Sequence, residues 1–152
     1  IGAVEGAAIG GGATILLHFD AVFICPEAKI KYPFSDLGLA PEVGSSYLLF
    51  QALGYQKAAQ LLFESKPIDG KTYFELGLAK YVGKDFLIKA NAYAHALKEQ
   101  SLGSIMETKA ILKSFKEDDL IKARSLETKA MKRLFGSEDN LKAVEKFFAR
   151  KK

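Results

Sequence analysis

Backbone punctuation is spread unevenly along this chain, and that constrains its folding more than any other feature. All four prolines (Pro26, Pro33, Pro41 and Pro67) precede residue 68, and eight of the 13 glycines fall in residues 1–54. Proline removes a backbone donor and glycine admits left-handed turns, so the first part must be built from short elements and tight connections. Past residue 84 there is no proline, and only Gly103 and Gly136 interrupt what can be long helices.

The hydrophobic pattern fills in that outline. Ile1–Val4 predicts a strand, Gly10–Gly12 a turn, Ala13–Phe19 a helix and Ala21–Cys25 a wholly apolar strand. Ala28–Tyr32 alternates apolar with basic residues, the period of a half-exposed strand. Ser45–Leu53 predicts a helix that stops at Gly54, followed by helices over Tyr55–Glu64 and Lys71–Leu78 around a Pro67–Gly70 turn. Strand, turn and helix alternating at this spacing imply an α/β layer architecture. Beyond residue 85 the periodicity is helical. Phe86, Ala90, Tyr93 and Leu97 share one face, Ile105, Leu112 and Phe115 a second, and Leu120, Ala123, Ala130 and Leu134 a third that ends at Gly136. Ser137 is placed to N-cap a last helix carrying Leu141, Val144 and Phe148.

Composition excludes several classes. With 152 residues, 49% hydrophobic and 26% charged, the chain can bury a real core, so a disordered tail or a collagen does not fit. One cysteine, Cys25, excludes a disulfide framework and favours a reducing compartment. The apolar stretch 1–25 carries Glu5, His18 and Asp20, lacks a basic flank and is broken by Gly10–Gly12, so neither a membrane span nor a signal peptide is expected. Residues 1–54 hold two basic and five acidic side chains, a net of −3, while residues 55–152 hold 20 basic and 13 acidic, a net of +7. A basic second half fits an anionic, phosphate-bearing ligand, and basic, aromatic-interleaved nucleic-acid signatures are absent.

Two places carry chemistry. Gly6–Gly12 lies between a strand and a helix, where free N–H groups and the helix dipole suit an anion or a developing oxyanion; the same glycines also serve a tight turn. No Lys-Ser/Thr follows, and Gly6, Gly10 and Gly11 miss the dinucleotide spacing. Glu42 stands in Leu39-Ala40-Pro41-Glu42-Val43-Gly44-Ser45-Ser46, among uncharged residues just ahead of an apolar helix. Desolvation there would suit a general base, and an N-terminal acid facing the helix dipole is the plainer alternative. Glu5 and Asp20 read as structural, His18 and His95 have no ligand-spaced partners for a metal, and Ser45 and Ser46 sit in no nucleophile-elbow pattern.

Taken in order, these stretches resemble the enoyl-CoA hydratase/isomerase (crotonase) superfamily. Ile1-Gly2-Ala3-Val4-Glu5-Gly6-Ala7-Ala8-Ile9-Gly10-Gly11-Gly12 is similar to that family's strand and oxyanion turn, and Asp20–Cys25 with Ala28–Ile30 to the stretch after it. Leu37-Gly38-Leu39-Ala40-Pro41, Gly54-Tyr55-Gln56-Lys57-Ala58 and Gly77–Val82 match later signatures. Hydratases carry one acid where Thr14 stands and a second where Phe34 stands, so this chain lacks their carboxylate pair. Pro41-Glu42 falls where monofunctional Δ3,Δ2-enoyl-CoA isomerases place one glutamate, and Phe34–Gly38, Glu42–Tyr47 and Lys146–Lys151 look like the peroxisomal-type isomerase branch.

The resemblance implies a crotonase-like ββα spiral core over 1–84 and a C-terminal α-helical oligomerisation module over 85–152, assembling as a homotrimer or hexamer. It implies an isomerase that moves the double bond of a 3-enoyl-CoA to the 2-trans position in fatty-acid β-oxidation, with a CoA thioester as substrate and no further cofactor. Glu42 would be the base and the Gly11 N–H an oxyanion donor. Ala8, Phe34 and Tyr47 would bind substrate, the latter two lining the acyl channel, while Phe148, Arg150 and Lys151 would meet the CoA adenine or phosphate. No initiator methionine opens the chain, so a C-terminal portion of the family's fold is expected, inactive alone, with a second oxyanion donor outside it. Arg150-Lys151-Lys152 is not a peroxisomal address, which leaves a bacterial cytoplasm as the expected setting. Two alternatives stay open: another crotonase-type acyl-CoA reaction (hydratase, thioesterase or dehalogenase), or a non-catalytic CoA-binding or oligomerisation fragment.

Overall fold

A computed structural model describes residues 1–149. The first part forms two small sheets. In one, β1 (Gly2–Val4), β3 (Val22–Ile24) and β6 (Tyr81–Val82) run parallel with β3 central. In the other, β2 (Ala7–Ile9) and β4 (Lys29–Lys31) pair in parallel, and β5 (Ile68–Asp69) joins β4 antiparallel. The α/β layering and the spiral-type core expected from the sequence are present. The glycine-rich stretch holds an unexpected strand, however, because Ala7–Ile9 finds a partner in Lys29–Lys31. Likewise β5 occupies the expected Pro67–Gly70 turn.

Strand β3 explains how the layers stack. Alternate residues of a strand point to opposite faces. Val22 and Ile24 enter a core with Ile30, Tyr32, Leu49 and Tyr73, while Ala21 and Phe23 face α4 (Phe86–Lys98), where they meet Ala90 and Tyr93. The Phe23 and Tyr93 rings lie 5.6 Å apart at 44°. A strand buried on both faces reads as a continuous apolar run, as Ala21–Cys25 does.

The helices follow the periodicity with local shifts. The first, α1 (Gly11–Leu16), begins two residues earlier than expected and ends before Phe19. Helix α2 (Ser45–Glu64) is broken at Gly54, whose φ of 74° and ψ of 169° are non-helical; it is two helices joined at a kink, as the sequence predicts. Helix α3 (Gly70–Glu75) is N-capped by Asp69, which accepts from the Thr72 N–H at 2.8 Å. Helices α5 (Leu102–Ser114), α6 (Glu117–Leu134) and α7 (Glu138–Ala149) complete the described chain. The Asn140 N–H bonds Ser137 Oγ at 3.3 Å, the expected cap of α7. No helix among the described residues is long and apolar enough to cross a membrane.

Candidate active site

Glu42 and Gly11 lie 31 positions apart in sequence, and the strand pairing brings them together. β2 and β4 are parallel neighbours, so the segments leaving their C-terminal ends start side by side. From β2 the chain turns at Gly10 into α1, with the Gly10 N–H bonded to the Lys31 carbonyl at 2.9 Å. From β4 it runs through Tyr32 and Pro33, a 3-10 turn at Ser35–Leu37, and on to Glu42. A Cβ placed on Gly11 would lie 3.4 Å from Glu42 Oε1. Gly10 has φ 58° and ψ −122°, a conformation open essentially to glycine, and this angles Gly11 into the first turn of α1. First-turn N–H groups have no intrahelical acceptor. The pair therefore joins a carboxylate to backbone donors, an arrangement that can move a proton beside a stabilised oxyanion.

Glu42 is half-buried at the edge of a groove of about 810 Å³. Pro41, Glu42 and Val43 form one wall, and Arg124, Thr128, Met131 and Phe135 the other. The loop carrying Glu42 is unusual. Val43 has φ 56°, rare for a β-branched residue, and Gly44 follows at 83°. His18 Nε2 lies 2.9 Å from the Val43 carbonyl oxygen, which requires the tautomer with Nε2 protonated. Glu127 of α6, 6% exposed, accepts from the Gly44 N–H at 2.7 Å, the Ser46 N–H at 3.0 Å and Ser46 Oγ at 2.5 Å. Gly44 offers α2 no side-chain cap, and this carboxylate takes two of the backbone donors at the helix start, while the Ser45 N–H bonds the Glu42 carbonyl at 3.0 Å.

The remaining expected site residues scatter. Ala8 is the middle of β2, paired with Ile30 and buried in the core. Phe34 is 4% exposed and also a core residue, packed away from the groove's lining. Tyr47, half-buried, faces a shallow depression with Phe50 and Leu126 between α2 and α6. Phe148 is exposed on α7, stacked edge-on against Phe147 at 5.7 Å. Arg150 and Lys151 lie outside the described residues. Thr14, where a hydratase would carry an acid, is buried and bonds the Gly10 carbonyl at 3.2 Å. Asp20 pairs with Lys109 at 2.6 Å on the surface. Among the described residues no group of three His, Cys, Asp or Glu is placed to hold a metal.

Glu127 and His18 are the residues that sequence reasoning passes over as site components. For Glu127 a signal exists. Leu120, Ala123, Ala130 and Leu134 leave one gap in their three–four spacing, and position 127 fills it with a charge. A carboxylate on the apolar stripe of a helix has to find buried donors. For His18 no local signal exists.

Residues 1–152 match the family model described as enoyl-CoA hydratase/isomerase. A Bacillus subtilis protein named "Probable enoyl-CoA hydratase" is 30% identical over 155 residues, covering 100% of this chain and 60% of its own length. Rat enoyl-CoA delta isomerase 2 is 27% identical over 153 residues, covering 99% of this chain and 39% of its own. The crystal structure of an enoyl-CoA hydratase/isomerase from Pseudoalteromonas atlantica superposes with a TM-score of 0.91 at 27% identity, covering 97% of this chain and 60% of that one. This chain thus spans 60% of the length of the Bacillus relative. The expectation of a C-terminal portion only draws no support from the family match, which runs over residues 1–152 of this chain. Names of both reaction types occur among relatives of similar identity, and the peroxisomal isomerase branch receives no particular support.

Proposed function

The chain belongs to the enoyl-CoA hydratase/isomerase family, and within it we propose that this protein is an isomerase converting a 3-enoyl-CoA to the 2-trans-enoyl-CoA with Glu42 as its single acid–base group. One observation carries the reading: the Glu42 carboxylate oxygen stands 3.4 Å from the Cβ position at Gly11, beside the first turn of α1. In this reaction Glu42 removes a proton from C2, the thioester oxygen gains charge as the dienolate forms, and the Gly11 N–H donates to it. The protonated Glu42 then returns a proton to C4. One carboxylate suffices because C2 and C4 are the ends of one allylic system, and the proton need move only from one end to the other.

A hydratase must both deliver water and protonate carbon. The two positions where that group's acids would stand hold Thr14 and Phe34, both buried, so neither supplies a carboxylate. The basic surplus of residues 55–152 suits the phosphates of CoA. The test uses the intact gene product with 3-trans-hexenoyl-CoA, following formation of the 2-enoyl product, with Glu42→Gln beside wild type. We expect turnover by wild type and a loss of about 10²- to 10⁴-fold in kcat for the variant. Equal rates in the two would move the base elsewhere, and no rate in either would remove the isomerase reading.

A further inference from the structure

Val43 C=O and Gly44 N–H belong to one peptide group, immediately after Glu42, and that group is gripped on both edges. His18, at the end of the segment leaving α1, lies 2.9 Å from its oxygen. Glu127 accepts its N–H at 2.7 Å from α6, 83 positions later in the chain. Two successive positive φ values flank the peptide, 56° at Val43 and 83° at Gly44. For valine such a φ is strained and persists only where the surroundings over-determine it. Relaxing the φ of Val43 is a turn about its N–Cα bond; with the Val43–Gly44 peptide released, that turn would change where the Cα of Glu42 sits relative to α2. Gly44 offers α2 no side-chain cap, and the carboxylate that takes that place, Glu127, is buried on another helix and so ties the Val43–Gly44 peptide to α6.

We propose that Glu127 and His18 are positioning residues that clamp the Val43–Gly44 peptide from its two edges and so hold the Glu42 carboxylate beside Gly11. The inference rests on the reading of Glu42 as the base. It makes the geometry of the acid–base group depend on α6 as well as on β2 and β4, the strands that lead to Gly11 and to the loop of Glu42. A displacement of about 1 Å at a reacting group is worth on the order of 10²-fold in rate.

The experiment measures kcat and KM of the intact protein on 3-trans-hexenoyl-CoA for wild type, Glu42→Gln, Glu127→Gln, His18→Ala and the double variant Glu127→Gln/Val43→Gly. Far-UV circular dichroism checks folding. Glu127→Gln keeps the size of the side chain but turns a donor toward one of the three donors it now accepts. We expect kcat to fall about 10- to 100-fold with KM within about twofold, and His18→Ala to fall in the same sense. Glycine reaches φ 56° without strain, so Val43→Gly should return part of the lost kcat, whereas it restores no contact between α6 and α2. A folded Glu127→Gln with wild-type kcat overturns the clamp while leaving the isomerase standing. So does a loss that Val43→Gly leaves unrepaired. Should Glu127→Gln fail to fold, His18→Ala reads the other edge of the same peptide, and wild-type kcat there overturns the proposal. Wild type without turnover removes the reading of Glu42 and the clamp with it.

Discussion

The strand-bearing part and the last three helices are held by different means. Around β3 the buried residues are almost all apolar: Val22, Ile24, Ile30, Leu49 and their neighbours fill the space between the sheets and α2. In α5 no residue is buried, and α6 and α7 bury one each, Glu127 and Asn140, both polar. Asn140 donates from Nδ2 to the Leu37 carbonyl at 2.7 Å and accepts the Gly136 N–H at 3.0 Å. Apolar contact is non-directional and tolerates sliding, while a hydrogen bond fixes position. The two polar anchors land on either side of Glu42, one on the 3-10 turn before it and one on the helix start after it. The core thus positions the strands that lead to Gly11 and Glu42, and the helices fix the loop that carries Glu42.

This contrast can be broken at a graded series of positions. The largest effect is expected in the core, at Gly70, where a Cβ would lie 2.0 Å from the Cys25 carbonyl oxygen. Backbone cannot yield there as a side chain tip can, so Gly70→Ala should lower stability by about 4 kcal/mol or prevent folding, read by urea denaturation. Asn140→Ala comes next. It strands the Leu37 carbonyl and the Gly136 N–H and should cost about 2 kcal/mol, with faster proteolysis in α7 than in the core. A core variant that loosened α7 no less selectively would undo the distinction.

Asp69→Ala removes a local cap and should cost about 1 kcal/mol. The Thr72 backbone N–H holds the Asp69 carboxyl below its ordinary value of 3.8. The folded state thus favours the charged form, so the wild-type advantage is full above that value and is lost as pH falls through the lowered one. A difference from Asp69→Ala that grows on acidification would refute the assignment. The smallest effect belongs to the surface pair Lys109–Asp20, where the side chains are 42% and 60% exposed. Lys109→Ala should change stability by less than about 0.5 kcal/mol, and a larger change would mean that α5 is tied to the core more firmly than its exposure implies.

Local signals in the sequence make much of this legible. Gly54 stops one helix and starts another because its φ is open to few residues but glycine, and Ser137 caps α7 because only a short oxygen-bearing side chain reaches back to the third amide. Glu42 and Gly11 are legible as a pair through the motifs around them. What stays hidden depends on partners distant in sequence. β2 is a strand because Lys29–Lys31 lies beside it, and nothing in Ala7-Ala8-Ile9 itself demands one. Phe34, expected to line the acyl channel, sits at the start of the 3-10 turn and is buried with the core residues, a placement set by partners distant in sequence. Glu127 is one acid among the many charges of α6, and its role becomes visible only when the gap in the apolar stripe is set against the bare start of α2.

The partition between two reactions tests the proposal of a single catalytic carboxylate most directly. The intact protein would be given 3-trans-hexenoyl-CoA and, separately, 2-trans-hexenoyl-CoA, and the 2-enoyl and 3-hydroxyacyl products quantified by chromatography. A single glutamate beside Gly11 predicts double-bond migration from the first substrate and no hydration of the second above the uncatalysed rate. Hydration as fast as migration would contradict it, since water addition would then be using an acid–base pair that Thr14 and Phe34 do not provide.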